Sequence, residues 1–238
     1  MIFDMALHNI IRTISKSGLC SRKQALLLVQ EGKVRVGGKV ILDPGLKVDH
    51  PGKITVNGKP LGQKAKRYII LNKPAGYVTT RVDELKRPTV YEFLKDVNDW
   101  VFPVGRLDLD SEGLLIFTND TRFGDVLTDP KYGIERTYEV LVEGSLRSED
   151  VRHILKGVDI GCGEIAKPVH LKVLAAKEGC ALIEITLSEG KNREIRRLFE
   201  CLGKPVKQLK RIKYGPFKLG AIKPGKWVEI KDAPSKLR

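Results

Sequence analysis

Apolar positions in the first sixty residues recur at helical and then at strand spacing. Ile10, Ile11 and Ile14 form a short helical stripe that Gly18 ends. Ser21 and Gln24 stand at the spacing of a capping box, which predicts a helix through residues 25–29 closed by Gly32. Lys33-Val34-Arg35-Val36 and Lys39-Val40-Ile41-Leu42 alternate around Gly37-Gly38, a hairpin signal. Asp43-Pro44-Gly45 turns the chain, and Lys53-Ile54-Thr55-Val56 supplies a further strand before Asn57-Gly58.

Gly62-Gln63-Lys64-Ala65-Lys66 is polar and basic and reads as a flexible linker. Beyond it the pattern changes to longer strands interrupted by amphipathic helices. Arg67-Tyr68-Ile69-Ile70-Leu71-Asn72 is a strand that stops at Lys73-Pro74. Thr89 and Glu92 form a second capping box, predicting a helix with Val90, Phe93, Leu94 and Val97 on one face. Ser148 is the expected cap of a further helix, with Val151, Ile154 and Leu155 inward. Ile195, Leu198, Phe199 and Leu202 define another, which Gly203 can end. Strands are predicted at 137–142, 169–174, 181–187, 206–213 and 227–230. Strand runs broken irregularly by helices argue for an α+β fold over a doubly wound sheet. With 238 residues, the expectation is two modules, 1–62 and 63–238.

Charge narrows the function classes. Lysine and arginine number 43 against 29 aspartates and glutamates, a formal net charge of +14. Such an excess favours a polyanionic partner, and nucleic acid is the usual one. A membrane surface would require a basic amphipathic helix with a broad apolar face, and none stands out. A basic chain that is merely soluble stays open at this level. No apolar run approaches the length of a membrane span. Met1-Ile2-Phe3-Asp4-Met5-Ala6-Leu7 carries an early acid and lacks a basic start and cleavage site, so a cytoplasmic location is expected. Cys20, Cys162, Cys180 and Cys201 are scattered, and His8, His50, His153 and His170 lack zinc-site spacing, so free thiols and no metal are expected. No phosphate-binding loop of the Gly-x-x-x-x-Gly-Lys-Ser/Thr type is present.

The connection between the apolar runs at 100–104 and 114–117 carries the candidate chemistry. It reads Gly105-Arg106-Leu107-Asp108, then Leu109-Asp110-Ser111-Glu112-Gly113-Leu114-Leu115-Ile116-Phe117-Thr118-Asn119-Asp120. Loops held by a rigid sheet are where reactive side chains usually sit. Taken alone, Asp108 is an acidic loop residue, and most of those are solvated turn formers. The word order changes this. Gly-Arg-Leu-Asp followed by a hydroxyl residue, Gly-Leu-Leu and Thr-Asn-Asp closely resembles the signature of the RsuA/RluB/RluE/RluF pseudouridine synthases. Asn72-Lys73-Pro74-Ala75-Gly76-Tyr77, Glu135-Arg136-Thr137-Tyr138-Glu139-Val140 and Glu189-Gly190-Lys191-Asn192-Arg193-Glu194-Ile195-Arg196-Arg197-Leu198-Phe199 resemble three further segments of that family. Gly18-Leu19-Cys20-Ser21-Arg22-Lys23-Gln24-Ala25, with Glu31-Gly32-Lys33-Val34-Arg35-Val36-Gly37-Gly38-Lys39-Val40 and Asp43-Pro44-Gly45, is similar to the S4 RNA-binding domain across most of residues 8–58. Ile10-Ile11-Arg12-Thr13-Ile14 departs from the usual Arg-Leu-Asp-Lys-like opening of that domain.

The resemblance implies an α+β fold with a small N-terminal S4-like (αL-type) domain and a larger pseudouridine synthase domain on a mixed, mainly antiparallel β-sheet. It implies that Asp108 is the catalytic carboxylate and that the Asn72 segment supports its loop. It implies that Tyr138 stacks on the target uracil, with Tyr132 a weaker alternative, although a strand tyrosine is most often half-buried packing. In the family the arginine at the Arg196 position pairs with the catalytic aspartate, and an adjacent opposite charge favours the ionised carboxylate. Arg106, Arg193 and Arg197 become substrate contacts, though a basic helix stripe is usually only its wet face. Lys207, Lys210, Arg211 and Lys213 extend the positive surface. Arg12, Lys16, Arg22, Lys23, Lys33, Arg35 and Lys39 become RNA contacts of the S4-like module, against the plainer reading of a solvated face.

The implied reaction breaks the bond from ribose C1′ to uracil N1, turns the base, and joins C1′ to C5. The carboxylate can stabilise the electron-poor C1′, attack it, or remove the 2′ proton, and the residue types do not choose among these. An aromatic platform retains the freed base, at ~1–3 kcal/mol per stacked base. The C5 proton leaves last, with Tyr138 a candidate base. No redox change or nucleotide energy is involved, so no metal or cofactor is required. The target uridine must leave its stack, which is easiest in a loop or bulge. The expected partner is ribosomal RNA, 23S slightly preferred over 16S, free or within an assembling subunit, acted on by a monomer. A non-catalytic RNA-binding or assembly factor is the rival of a different class. It would not require Asp108, Tyr138 and Arg196 together. A carboxylate-pair glycosidase using Asp108 and Asp110 is a weaker rival.

Overall fold

In a computed structural model the described residues are 8–48, 53–62, 64–177 and 179–231. Residues 1–7, on which the expectation of no secretory signal rests, lie outside the described residues, as do Gln63 of the linker and residues 49–52, including His50, of the S4-like stretch. The chain forms two compact units. One takes in the described residues up to Arg67 together with Val97–Phe102 and Thr118–Arg122, and the other comprises Tyr68–Asp96, Pro103–Phe117 and the residues from Phe123 onward.

The first unit contains β1 (His8–Asn9), α1 (Ile10–Lys16), α2 (Arg22–Gln30), β2 (Val34–Val36), β3 (Lys39–Val40), β4 (Lys47–Val48), β5 (Ile54–Val56) and β6 (Lys59–Pro60). Ile10, Ile14, Ala25, Val29, Val34 and Ile54 are fully buried in its core, as the helical and alternating patterns require. The Ser21 hydroxyl accepts from the Gln24 N–H at 3.2 Å and the Gln24 side chain accepts from the Ser21 N–H at 3.0 Å, the predicted capping box. Gly37 and Gly38 take φ of +57° and +84° between β2 and β3, the left-handed pair that a two-residue hairpin needs. Asn57 and Gly58 do the same, at +50° and +74°, and bring β6 back onto β5, a strand beyond those the alternation predicts. The β1–β4 pair, two residues on each side, is too short to announce itself by alternation.

Residues 64–66 of the expected flexible linker, and Arg67 after them, are fastened instead. Lys64 and Arg67 both pair with Asp99, at 3.4 and 2.8 Å, and Lys66 pairs with Asp120. Asn119 accepts from the Arg67 N–H at 2.9 Å and donates to the Ala65 carbonyl at 2.8 Å. Composition alone marks a polar stretch, and these distant acids decide that it is held.

The second unit is built from β7 (Tyr68–Lys73), β8 (Phe102–Pro103), β9 (Glu112–Thr118), α3 (Thr121–Thr128), β10 (Arg136–Glu143), α4 (Ser148–Lys156), β11 (Val158–Asp159), β12 (Ile165–Ala166), β13 (His170–Lys177), β14 (Cys180–Leu187), α5 (Glu194–Cys201), β15 (Val206–Tyr214), β16 (Phe217–Lys218) and β17 (Trp227–Glu229). Nine strands form one sheet in the order β13-β14-β10-β15-β9-β7-β17, with β16 beside β15 and β8 beside β9. β15 runs parallel to β9, while β13, β14, β10 and β15 are successively antiparallel, so the sheet is mixed and mainly antiparallel. Leu114 and Ile116 of β9 enter a core with Tyr68, Ile70, Phe123, Leu127 and Tyr214. Leu115 and Phe117, on the opposite face by strand alternation, are also fully buried, which accounts for an unbroken apolar run.

Two helices differ from expectation. Residues Val90–Leu94 form a 3₁₀ segment that stops before Val97, although Glu92 does accept from the Thr89 N–H at 3.2 Å. A single tight turn has no room for a four-residue α-helical face. Ser148 lies inside α4, whose cap is Arg147, because Asp150 takes the Arg147 N–H at 2.9 Å. Helix α3 adds to the predicted helices. Among the described residues no helix is long and apolar enough to cross a membrane.

Candidate active site

The loop bearing Asp108 is held by its main chain. Lys73, the last residue of β7, is fully buried, and its ammonium donates to the carbonyl oxygens of Asp108 (2.9 Å), Ser111 (2.6 Å), Leu109 (3.3 Å) and Pro74 (3.2 Å). Gly76 N–H donates to the Leu109 carbonyl at 2.8 Å, and the Thr79 hydroxyl donates to the Leu107 carbonyl at 2.7 Å. The loop is therefore fixed on both sides of Asp108, with Asp108 itself half-buried. Burial lowers the Lys73 pKa to about 8, against the opposing pull of Asp110, Asp108 and Glu112. The Asn72 segment thus supports the loop, as the resemblance implies, through a lysine whose role the sequence alone does not show. Its signal is a charged residue closing a strand that is otherwise apolar.

The sheet supplies the facing wall. In the antiparallel register Tyr138 of β10 lies opposite Arg211 of β15, whereas Thr137 lies opposite Lys213, so Ile212 is an extra residue in a bulge. The bulge puts Arg211 and Tyr214 on the same face as Arg136 and Tyr138. Residues opposite one another across a pair share a face. Gly113 of β9 makes the approach possible from the other side. A Cβ there would lie 2.3 Å from the Arg211 carbonyl oxygen, at a φ of +99°. The Arg136 and Arg211 guanidiniums lie 4.7 and 4.8 Å from the centre of the Tyr214 ring, and the Tyr214 hydroxyl donates to the Leu127 carbonyl at 2.7 Å.

Helix α5 closes the site. Its cap, Arg193, takes the left-handed conformation at φ +48°, an uncommon state for an arginine and one found at functional sites. From there its guanidinium reaches Asp108 at 3.6 Å and Asp110 at 3.8 Å. Both sides of these pairs are substantially exposed, so water weakens them. Glu194, the first helical residue, is buried. Burial raises its pKa to about 7, with help from the neighbouring Glu189 carboxylate and against the hydrogen bond it accepts from the Lys191 N–H at 3.0 Å.

Asp108, Tyr138, Arg106 and Arg193 thus line one cavity of about 300 Å³, with Ser111, Arg136, Leu187, Asn192, Glu194, Leu209, Arg211 and Tyr214 also in its wall. That size suits a single small ring system. Tyr138 is 9% exposed, and its place in the wall fits a platform. A second, more open depression runs from Asp108, Arg106 and Arg193 to the loop at 78–87.

Four expected placements are corrected. Arg196 does not pair with Asp108. Its guanidinium reaches the Asp110 carboxylate at 3.2 Å and the Asp110 carbonyl at 3.1 Å, and it lies near the Ser111 hydroxyl at 3.4 Å, so it grips the loop two residues further on while Arg193 faces Asp108. Arg197 does not face the cavity with a free guanidinium. It pairs with Glu164 and donates to the carbonyls of Ile160 (2.7 Å) and Gly161 (2.9 Å), tying α5 to the β11–β12 hairpin. Arg211, expected on the positive surface, is 2% exposed in the cavity wall. Tyr132 is exposed on the 3₁₀ turn Pro130–Tyr132, under the Lys131 ammonium, and is not in the cavity wall. Glu194, Arg136 and Arg211 are wall residues that sequence reasoning does not assign to the site.

In the first unit Arg12, Lys16, Arg22, Lys23, Lys33, Arg35 and Lys39 all keep solvent exposure. Lys33 pairs with Glu31 at 2.7 Å, Arg35 donates to the Gly38 carbonyl at 3.1 Å, and Lys16 lies 2.9 Å from a His8 ring nitrogen.

A fastened aspartate, a tyrosine and several arginines share the wall of one cavity. Comparison with known proteins identifies the class. Residues 67–201 match the RNA pseudouridylate synthase family and residues 10–52 match the S4 domain. The chain is 40% identical over 219 residues to an uncharacterized RNA pseudouridine synthase of Aquifex aeolicus (strain VF5), covering 91% of this chain and 88% of that one. It is 37% identical over 216 residues to ribosomal large subunit pseudouridine synthase B of Bacillus subtilis (strain 168), covering 90% and 88%. The crystal structure of a pseudouridylate synthase superposes with a TM-score of 0.67 at 25% identity, covering 96% of this chain and 97% of that one. The chain belongs to the RNA pseudouridine synthases, in the RsuA/RluB/RluE/RluF family with an N-terminal S4 domain. It is an isomerase acting on uridine in RNA.

Proposed function

We propose that this synthase isomerises a specific uridine of ribosomal RNA, in 23S in preference to 16S, with Asp108 as the catalytic carboxylate. The observation that carries this reading is that the fastened loop puts Asp108 in the wall of the same cavity as Tyr138. Likeness to the large-subunit enzyme of B. subtilis supports the 23S preference. Asp108 acts at C1′ as the bond to N1 breaks, and Tyr138 holds the freed uracil by stacking while it turns. C1′ then joins C5, the C5 proton leaves, and N1 gains one. Arg193 keeps positive potential beside Asp108, and Arg196 positions the loop through Asp110 and Ser111. Arg106, in the wall beside Asp108, contacts the substrate backbone.

The cations Arg12, Lys16, Arg22, Lys23, Lys33, Arg35 and Lys39 anchor the RNA through phosphates, which rewards charge more than exact placement. The boundary between an RNA-anchoring module, 1–62, and a catalytic module, 63–238, belongs to this reading. So does a monomer working in the cytoplasm without a cofactor.

Pseudouridine mapping on unmodified 16S and 23S RNA, with the wild type and Asp108→Asn, tests the proposal. One new site in 23S that vanishes with the variant is the expected result. A site in 16S alone overturns the preference, and conversion by the variant removes Asp108 from its role. Binding without conversion on either RNA and on assembling subunits would favour a non-catalytic factor.

A further inference from the structure

Val82 and Leu85 stand on one short loop and are 78% and 72% exposed, more than any other large apolar side chain among the described residues. The loop is not slack. Arg87 donates to the Asp83 carboxylate from its backbone N–H (2.9 Å), Nε (3.1 Å) and Nη2 (2.7 Å), and the Lys86 N–H donates to the Asp83 carbonyl at 3.1 Å. The Thr80 hydroxyl donates to the Val82 carbonyl at 2.8 Å, and the Arg81 guanidinium lies 4.5 Å from the centre of the Tyr91 ring. At the base of the loop the Val78 N–H donates to the Pro88 carbonyl at 3.0 Å, and the Thr79 hydroxyl ties it to Leu107 beside Asp108 at 2.7 Å. One exposed apolar side chain on a surface is ordinary. Two on a loop that its own hydrogen bonds hold in place are a presented pair, since the fold gains nothing by leaving both in water.

Their position says what meets them. Val82 and Leu85 line the open depression that Arg106, Asp108, Asn192 and Arg193 also line. Arg106, Asp108 and Arg193 belong to the cavity wall as well, so the depression continues the site. At about 730 Å³ against about 300 Å³ it has room for what flanks the group held at Asp108. The guanidiniums of Arg106 and Arg193 offer phosphates a positive edge. The end at Val82 and Leu85 does not, because Asp83 is matched by Arg87 and Glu84 adds a carboxylate to the wall. A neutral, flat surface suits that end, and in RNA this is the face of a base.

We propose that Val82 and Leu85 form a wedge that enters the base stack beside the target uridine and fills the space it leaves, so that a paired uridine can reach Asp108. Extrusion costs most where the base is paired, and apolar side chains inserted between base steps are one way proteins hold a duplex open. A wedge must be stiff, which the bonds around Asp83 provide, and must stand next to the receiving site, which Thr79 provides.

The inference rests on the cavity as the place where a uridine is isomerised. The full chain carrying Asp108→Asn, which binds without turnover, is titrated with two oligoribonucleotides spanning the mapped uridine. In one the uridine is paired within a stem, and in the other it lies in an unpaired loop. Val82→Ser combined with Leu85→Ser should weaken the paired RNA by about tenfold, the lower end of what burying one such side chain is worth, and the unpaired RNA by about twofold. Leu85→Met keeps the apolar bulk and should stay within about twofold on the paired RNA. With a fluorescent purine analogue next to the paired uridine, emission should rise as the protein with the unsubstituted loop binds and unstacks it, and rise less with the serine pair. Equal loss on both RNAs, loss on neither, or no rise in emission overturns the proposal. The emission decides even where the serine pair lowers the melting temperature. Failure of the wild type to convert any uridine would instead strike the activity on which the inference rests.

Discussion

The Asp108 loop and the basic face of the first unit solve different problems. Around Asp108 the main chain is gripped by a buried lysine, a threonine hydroxyl and a glycine N–H, each at hydrogen-bond distance. The seven cations from Arg12 to Lys39 keep solvent exposure. Bond rearrangement at C1′ needs a carboxylate held to within a fraction of an ångström. Phosphate binding needs charge of the right sign over an area. Small changes behind Asp108 should therefore do more harm than removal of whole charges from the basic face.

The largest effect is expected at Lys73. Lys73→Met takes the ammonium donor from the Asp108 and Ser111 carbonyl oxygens and should cost about 3–5 kcal/mol in urea denaturation, with turnover down about 100-fold in whatever protein stays folded. Retained turnover would mean that the loop does not depend on its grip. Gly113→Ala comes next. Its Cβ would meet the Arg211 carbonyl at 2.3 Å, so β9 and β15 must part, at about 3 kcal/mol or more. A variant as stable as the wild type would show that this crossing yields.

Glu194 gives a pH signature inside the site. Its folded pKa, about 7, lies above the unfolded value of 4.5, so the folded state holds more protons between those values. Its contribution is fully present below about pH 4.5 and is lost as pH rises through about 7, a decline of about 3 kcal/mol at most. Denaturation of the wild type and Glu194→Gln at pH 5 and pH 8 should show the wild type losing more. Equal slopes would place the carboxyl in a wetter setting. The smallest effect belongs to the basic face. Replacing Arg12, Arg22, Lys23 and Lys39 by alanine should lower the salt slope of RNA binding by about 0.7–0.9 for each phosphate no longer neutralised, with turnover at saturating RNA unchanged. An unchanged slope would show that this face does not hold RNA.

Much of the fold is legible locally. The Ser21–Gln24 box and the Gly37-Gly38 turn depend on residues within a few positions, so sequence order is enough. Gly-Arg-Leu-Asp marks the loop and the family. What escapes is settled at long range. Arg196 and Arg197 are adjacent in a basic stripe, yet one grips Asp110 and the other Glu164, and no helical periodicity distinguishes them. Arg211 looks like a surface strand residue until the bulge at Ile212 turns it into the cavity wall. Lys73 is legible only as an anomaly, a charge at the end of a buried strand.

The most direct measurement is single-turnover release of tritium from RNA labelled at uridine C5, with wild type and Asp108→Asn, alongside the affinity of each for the same RNA. Release should be slowed at least about 1,000-fold in the variant, with affinity changed less than about threefold. Release within about tenfold of the wild type, from RNA bound equally well, would contradict the assignment of Asp108.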